Sequence, residues 1–320
     1  EYYNVKNLTV AIFNTWFRLH DSETAAYIAL ATILLVIIVL TAEKYSRGKA
    51  NYKIETSNAS VKKPSLKGYR LYLTYSFLSI PIIFGFIIPF IWIGVYSYEY
   101  AANMVDEAFL TILANSFLSS SLSAFIIMVL AFFVGYTSRI FPSVVNRYLS
   151  KIISLGFTMP GAVVAIGTII LFADIDKWLI ANYFTSTLFF SGSMFALLFA
   201  YLVRFSVIGI YTVESSFERI SISLNRASRS LGLNYFKTML KVELPLMKNA
   251  LLFGFVLVFI SAIKELPITL VLRPFNHETL TTKIYVLANA QMVQEISIYA
   301  LSIIVISLIP LTIAMLKRQI

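Results

Sequence analysis

Cysteine is absent from the 320 residues, and histidine occurs only twice, at His20 and His277. The first absence excludes disulfides, thiolate metal sites and cysteine nucleophiles. The two histidines sit far apart in polar connecting segments, so no metal-ligating residues are expected. Charge is scarce as well: 13% of residues are Asp, Glu, Lys or Arg, where a soluble domain carries about a quarter. No G-x-x-x-x-G-K-[ST] loop is present, so the chain does not cradle nucleotide phosphates in the usual way. No apolar segment pairs a histidine with a carboxylate or serine, as an intramembrane enzyme would need.

Hydrophobic residues make up 58% of the sequence. Its mean hydropathy is +0.79. A membrane-spanning helix needs about 20 mostly apolar residues. Seven stretches qualify, at 24–42, 71–96, 109–136, 152–172, 193–213, 249–271 and 296–316. The 26 Phe and 19 Tyr fit aromatic belts at the membrane interfaces. The expectation is an all-α, polytopic bundle of about seven transmembrane helices.

The cations are unevenly distributed. Nineteen Lys and Arg fall in segments 43–70, 137–151 and 214–248 and at the C-terminus. In a seven-span arrangement these segments share one side, and the opposite side holds five: Lys6, Arg18, Lys177, Arg273 and Lys283. Positive residues mark the cytoplasmic side, so the N-terminus is expected outside and the C-terminus in the cytoplasm. The net charge of +10 is thereby explained by membrane topology, with no nucleic-acid partner required.

Three ionisable residues remain inside apolar stretches: Arg204, Lys264 and Glu265. Such groups face a bundle interior or a water-filled path. Both a structural ion pair and a place on a translocation path or gate are open to them. Pro267 should kink its span beside Glu265. Pro160-Gly161 should open the span that follows, with Gly167 permitting close packing. Arg273 lies just outside its span, placed either to receive an external protein or to anchor the helix.

An internal repeat runs at an offset of 272 residues. Leu8, Thr9 and Ile12 match Leu280, Thr281 and Ile284; Glu23 matches Glu295, and Tyr27 matches Tyr299. The chain starts at Glu1, without a signal sequence. These features are expected of a piece of a longer protein: residues 1–43 as the last span of a preceding unit, 44–69 as a cytoplasmic linker, and 70–320 as a complete six-span unit.

Segment 214–248 is the most informative. It contains Asn225-Arg226-Ala227-Ser228-Arg229-Ser230-Leu231-Gly232 and, further on, Val242-Glu243-Leu244-Pro245. The physical reading is helix, turn, helix. Ser223 or Asn225 caps the first helix, Gly232 ends it with a positive φ, a second short helix covers about 234–242, and Pro245 enters the next span. The small residues Ala227, Ser228 and Ser230 let a partner surface approach closely.

These residues resemble the EAA motif of ABC importer permeases, in which E-A-A, a spaced Gly and I-x-L-P recur at fixed distances. Nine residues separate Gly232 from Val242, as in the motif, and Ala227 and Ser228 take the two Ala places. Arg226 stands where the family has Glu. Lys264-Glu265-Leu266-Pro267 with Leu272-Arg273-Pro274-Phe275, and Met159-Pro160-Gly161, are similar to the ferric-iron class.

The resemblance implies a type I importer permease fold in a bacterial inner membrane. The loop at 221–245, through Asn225, Arg226, Ala227, Ser228, Gly232, Leu244 and Pro245, would couple to a separate ATPase dimer that holds ATP and Mg, with no cofactor on this chain. Arg204, Lys264, Glu265, Pro267, Pro160 and Gly161 would serve the path or gate. Arg273 would face a periplasmic or lipoprotein binding protein, and the N-terminal permease half would complete the path. Ferric iron is the implied cargo; thiamine, aminophosphonate, sulfate and polyamine branches share parts of the pattern. A passive channel or ion-coupled carrier is the competing class, and it has no need of the Gly232-to-Pro245 spacing.

Overall fold

The computed structural model describes residues 7–47, 67–183 and 188–318. Most of the expected linker, 48–66, lies outside the described residues. Among them all regular secondary structure is helical, with no strand. Six helical segments are long and apolar enough to cross a membrane: Ser22–Glu43, Tyr69–Ala102, Glu107–Ile140, Met194–Phe217, Tyr235–Ile263 and Ile296–Leu316.

The centre of the bundle is formed by α5 (Glu107–Ile140), α8 (Met194–Phe217) and α11 (Leu244–Ile263). They pack closely because small residues stand at their crossings. A Cβ added to Gly209 would lie 3.0 Å from Ala131 and 3.1 Å from Ile127, and one on Gly254 would lie 2.7 Å from Met128. Four buried serines of α5 (Ser116, Ser119, Ser120 and Ser123) extend this small-residue face. Three of them return their hydroxyl to a carbonyl three or four residues earlier, which satisfies those donors within the helix. Phe132, Phe205, Val213, Phe217 and Phe259 fill the space between.

The expected span at 152–172 is not one helix. It is divided into α6 (Val144–Thr158) and α7 (Gly161–Tyr183). Pro160 forces the residue before it out of the helical region, and Met159 is accordingly extended (φ −74, ψ 138). Gly167 faces open space, contrary to the packing expected of it. The close contacts are made by Gly156, whose added Cβ would run into the Val203 carbonyl oxygen of α8, and by Gly161.

The stretch 249–271 is likewise broken rather than kinked. Helix α11 stops at Ile263, Lys264–Leu266 leaves the helical path, and Pro267 starts α12 (Pro267–Leu272). A proline is tolerated there because a first-turn N–H has no intrahelical acceptor anyway.

A third difference lies at 234–242, which is not a separate helix. Helix α10 (Tyr235–Thr238) runs through a π-turn, Met239–Glu243, straight into α11. Pro245 cannot donate to the Lys241 carbonyl and its ring would clash with it. The wider turn, closed by Leu244 N–H to the Met239 carbonyl, accommodates it. The same solution appears at Pro89, which follows a π-turn over Ile83–Ile87 between α3 (Tyr69–Ile82) and α4 (Ile88–Met104).

Two short helices occupy the repeat positions. Helix α1 (Leu8–Phe17) and α13 (Leu280–Asn289) both have 10 residues and begin 272 positions apart. Each is capped by the side chain just before it, Asn7 on Val10 N–H and Thr279 on Thr282 N–H. Helices α1 and α2 (Ser22–Arg47) pack on the start of α7 through Ile12, Ala25 and Ala29 against Ala162, Val163 and Ile166. Helix α14 (Ile296–Arg318) packs on α4, α11 and α13.

Candidate functional site

Helix α9 (Ile222–Ser230) carries the Ala227-to-Gly232 motif. Its N-cap is Ser221, not Ser223 or Asn225. Ser223 and Asn225 both lie inside the helix, and the side chain of Asn225 is turned inward. Leu231 closes the helix, and Gly232 takes φ +92, a left-handed conformation that glycine adopts without steric cost. Gly232 N–H reaches the Arg229 carbonyl at 2.9 Å and Leu233 N–H the Ser228 carbonyl at 3.2 Å. This is the Schellman arrangement, and it fixes the angle between α9 and the helix after it.

A buried polar network fastens α9 to the bundle. Asn225 Nδ2 donates to Glu243 Oε1 at 3.1 Å, and Ser228 Oγ lies 3.0 Å from Thr238 Oγ1. Tyr136 Oη, at the end of α5, donates to the Tyr235 carbonyl at 2.8 Å. Arg139 Nη2 donates to the Ile220 carbonyl, and its guanidinium stacks 4.9 Å from the Phe217 ring. Glu243 is wholly buried, and its Oε2 has no hydrogen-bond partner. The sequence offers Asn225 as a cap within the coupling loop and Ser228 as a small residue open to a partner; in the structure both side chains form the inner, holding face. Sequence reading missed Glu243, Tyr136 and Arg139, although an acid inside an otherwise apolar Val-x-Leu-Pro run was a legible signal. Arg226 and Ala227 do lie on the outer face, beside exposed Ile222, Leu224 and Leu231, the last 86% exposed. Leu244 is half-buried and Pro245 exposed; they shape the turn into α11.

Deeper in the bundle the two helix breaks meet. Arg204 stands near the middle of α8. Its Nη1 donates to the Met159 carbonyl at 3.1 Å, a group freed by the α6–α7 break. Its Nε lies 3.5 Å from Glu265 Oε2, in the α11–α12 break. The carboxylate also accepts from Ile268 N–H at 3.4 Å, an orphan donor of the first turn of α12. The Glu265 carbonyl accepts from Thr269 and Thr281 hydroxyls, and Tyr201 Oη bonds Thr269 Oγ1. A Cβ on Gly161 would lie 2.5 Å from Glu265 Oε1, 2.7 Å from Arg204 Nη1 and 3.0 Å from Pro267. The absence of a side chain at 161 is what lets the pair form there. Arg204, Glu265, Pro267, Pro160 and Gly161 are thus brought together, and Lys264 is exposed and takes no part in the pair.

Arg273 ends α12 and is tied down by Glu278 at 3.6 Å and by Thr282 Oγ1 at 3.3 Å. It borders a tight turn whose tip, Phe275, is 94% exposed. His277 in that turn is half-buried with Nε2 unpartnered. Burial, and secondarily the Arg273 charge, hold its pKa below the ordinary imidazole value. His20 lies at the far end of α1, and no group of three or more His, Cys, Asp or Glu converges among the described residues.

The chain has known counterparts. The family described as "binding-protein-dependent transport system inner membrane component" matches residues 127–319. The chain is 24% identical over 315 residues to the Fe(3+)-transport system permease protein FbpB 2 of Haemophilus influenzae, covering 96% of this chain. It spans 60% of that relative's length. Two crystal structures of a bacterial alginate ABC transporter share the fold. One, in complex with its alginate-bound periplasmic protein, aligns with a TM-score of 0.59 at 16% identity, over 77% of this chain and 93% of the other. The second aligns with a TM-score of 0.61 at 15% identity, over 78% and 96%. The match covers both helix breaks and the whole of α9, and the chain belongs to the family of binding-protein-dependent transport system inner membrane components, the permeases of ABC importers.

Proposed function

We propose that this chain is the membrane subunit of an ATP-driven importer for ferric iron, and that α9 couples it to a separate ATPase that holds ATP and Mg. The observation that carries this is the construction of α9. A nine-residue helix outside the apolar bundle would fray if left to itself. Here it is fastened by Asn225, Ser228, Glu243 and Thr238 on one face, while Ile222, Leu224, Ala227 and Leu231 are left exposed on the other. Rigid backing and an apolar outer face suit a helix that docks in a partner's groove and passes its movement on.

The path forms between this unit and a preceding one, of which residues 1–43 supply the last span. The 272-residue offset between α1 and α13 and the greater length of the Haemophilus relative support that reading. The Arg204–Glu265 pair holds the two breaks in register, and its parting opens the gate. At 3.5 Å the two groups face each other as ions rather than through a short charge-assisted hydrogen bond. Exposed Phe275 beside Arg273 offers the binding protein a contact on the outer side. The basic loops and α9 lie in the cytoplasm, as does the C-terminus. Iron as cargo rests on the resemblance of the 264–275 segment and on the Haemophilus relative.

The test is reconstitution of the complete transporter in liposomes with its ATPase and binding protein. Iron-loaded binding protein should stimulate ATP hydrolysis, and Gly232→Val should abolish the stimulation. Stimulation that survives Gly232→Val together with Ala227→Trp would remove α9 from the coupling. Stimulation by a binding protein loaded with thiamine, sulfate or a polyamine, and not with iron, would replace the cargo and leave the coupling.

A further inference from the structure

A slot of about 530 Å³ runs between α5 and α11. Phe125, Met128 and Phe132 of α5 form one wall, and Leu244, Leu251 and Phe255 of α11 the other. Lys248 is the only polar side chain among its described lining residues. The slot lies within two of the apolar spans, Glu107–Ile140 and Tyr235–Ile263. Phe125, Val129, Phe133 and Leu252 at its rim are exposed, so it opens on the outside of the bundle. Helices α1 and α2, which stand for the preceding unit, pack on α7, and α7 contributes no residue to the slot. That sets the bilayer, rather than the preceding unit, against the slot.

An empty apolar slot forfeits the dispersion contacts of its walls, and without polar partners it holds no ordered water. A lipid acyl chain restores those contacts. The lysine adds a headgroup preference. Lys248 is exposed, and side chains on a helix lean toward its N-terminal end. Its ammonium is thereby directed toward Lys241, about two turns nearer the cytoplasm on the same continuous helix. Lys241 is exposed as well, and neither ammonium has a hydrogen-bond or ion-pair partner among the described residues. An apolar stem along the slot with a cation at its mouth is how a lysine meets a membrane interface. An anionic phosphate between the two lysines is matched in charge. A choline headgroup brings a cation of its own and is not.

The floor of the slot connects it to the coupling segment. Met239 and Leu240 line it and belong to the π-turn Met239–Glu243. The same turn carries Glu243, whose Oε1 accepts from Asn225 of α9 at 3.1 Å. A chain in the slot packs on the apolar side of this turn, and α9 is fastened to its polar side.

We propose that the slot binds an anionic phospholipid, with one acyl chain between α5 and α11 and the phosphate on Lys248 and Lys241, and that the bound lipid stiffens the turn that carries α9. Its place in the cytoplasmic leaflet rests on the orientation given above, and its effect on coupling rests on the role given to α9. The site itself rests on neither.

The test uses the complete transporter in vesicles of phosphatidylcholine with and without a minor share of phosphatidylglycerol. Leu252→Trp places a fluorophore at the rim, and the emission it adds to that of the three native tryptophans is followed. Brominated phosphatidylglycerol should quench it at about a tenfold lower membrane content than brominated phosphatidylcholine, a ratio between those of one and of two lysines facing an anionic lipid. Lys241→Gln with Lys248→Gln, both at exposed positions, should bring the two lipids to equal quenching. Arg219→Gln, which removes a cation from a separate cavity between α8 and α11, should leave the preference intact. ATPase stimulation by loaded binding protein should rise several-fold with phosphatidylglycerol, and in the double lysine variant should not respond to it. Equal quenching by the two lipids in the Leu252→Trp protein, or a preference that survives loss of both lysines, would overturn the site. Quenching by neither lipid would mean that a protein surface covers the slot, and would overturn it too. A lipid preference with stimulation indifferent to lipid would support the site and overturn its action on the turn. Stimulation in neither kind of vesicle would overturn the coupling reading, and quenching would still decide the site. Labelling of Leu231→Cys by a membrane-impermeant reagent from the binding-protein side would overturn the leaflet alone.

Discussion

Arg204 joins two broken helices at once: its Nη1 holds the Met159 carbonyl at 3.1 Å and its Nε pairs with Glu265 at 3.5 Å. Removing one partner of a buried pair strands the other, at a cost of about 3–5 kcal/mol. Arg204→Met and Glu265→Met should each lower the thermal stability of the purified protein strongly. The double variant should recover much of that loss, because both charges leave together. A double variant as unstable as the sum of the singles would show that the pair does not act as a unit.

Glycine substitutions separate the clamp from the rest of α7. Gly161→Ala places a methyl against Glu265 Oε1 and Arg204 Nη1, so it should part the pair and destabilise by about 1–3 kcal/mol. Gly167→Ala meets open space and should be neutral or slightly stabilising, since alanine is the better helix former. Thermal unfolding in detergent distinguishes the two; equal effects would contradict the described break.

The buried network beneath α9 makes a separate claim. Asn225→Leu removes the donor to Glu243 and leaves a buried carboxylate oxygen unsatisfied. The expected loss is about 1–3 kcal/mol, concentrated in α9. Hydrogen exchange of the 222–230 amides should accelerate, while the centre of α8 stays protected. Uniform acceleration across both helices would mean a global effect and no local lock.

His277 gives a pH dependence. Its folded pKa lies below the ordinary value of 6.5, chiefly through burial. The folded state therefore binds fewer protons than the unfolded one in the window just below 6.5. The contribution of His277 to stability is complete above that value and is lost as pH falls through the window to the folded pKa. Exchange of the 273–282 amides should rise on acidification in the wild type and much less in His277→Asn. Identical pH profiles would contradict the assignment.

Much of this organisation was legible in the sequence, and the reasons are local. The Gly232-to-Pro245 spacing marks a helix end and a proline-entered span, which are events decided within a turn or two. Membrane spans follow from composition. The breaks at Met159–Pro160 and Lys264–Leu266 were read as continuous spans because hydropathy registers what a segment contains and not which carbonyls lack a donor. The prolines did mark both places. The sequence leaves the pairing of Arg204 with Glu265 open, and the packing of α8 against α12 is what brings the two side chains together. Gly167 was misjudged because a glycine's use depends on what faces it. Glu243 is hard to read from the sequence because its partner, Asn225, stands 18 residues earlier, on α9.

The absence of cysteine permits the most direct test of coupling. A single cysteine placed at Leu231, on the exposed face of α9, is labelled with a short photo-crosslinker in the assembled transporter; one at buried Thr238 serves as the control. The account expects Leu231→Cys to crosslink to the ATPase, in a yield that changes when nucleotide binds, and Thr238→Cys to give no such product. Crosslinks from Leu231→Cys to lipid alone, or an ATPase product from neither or both positions, would contradict it.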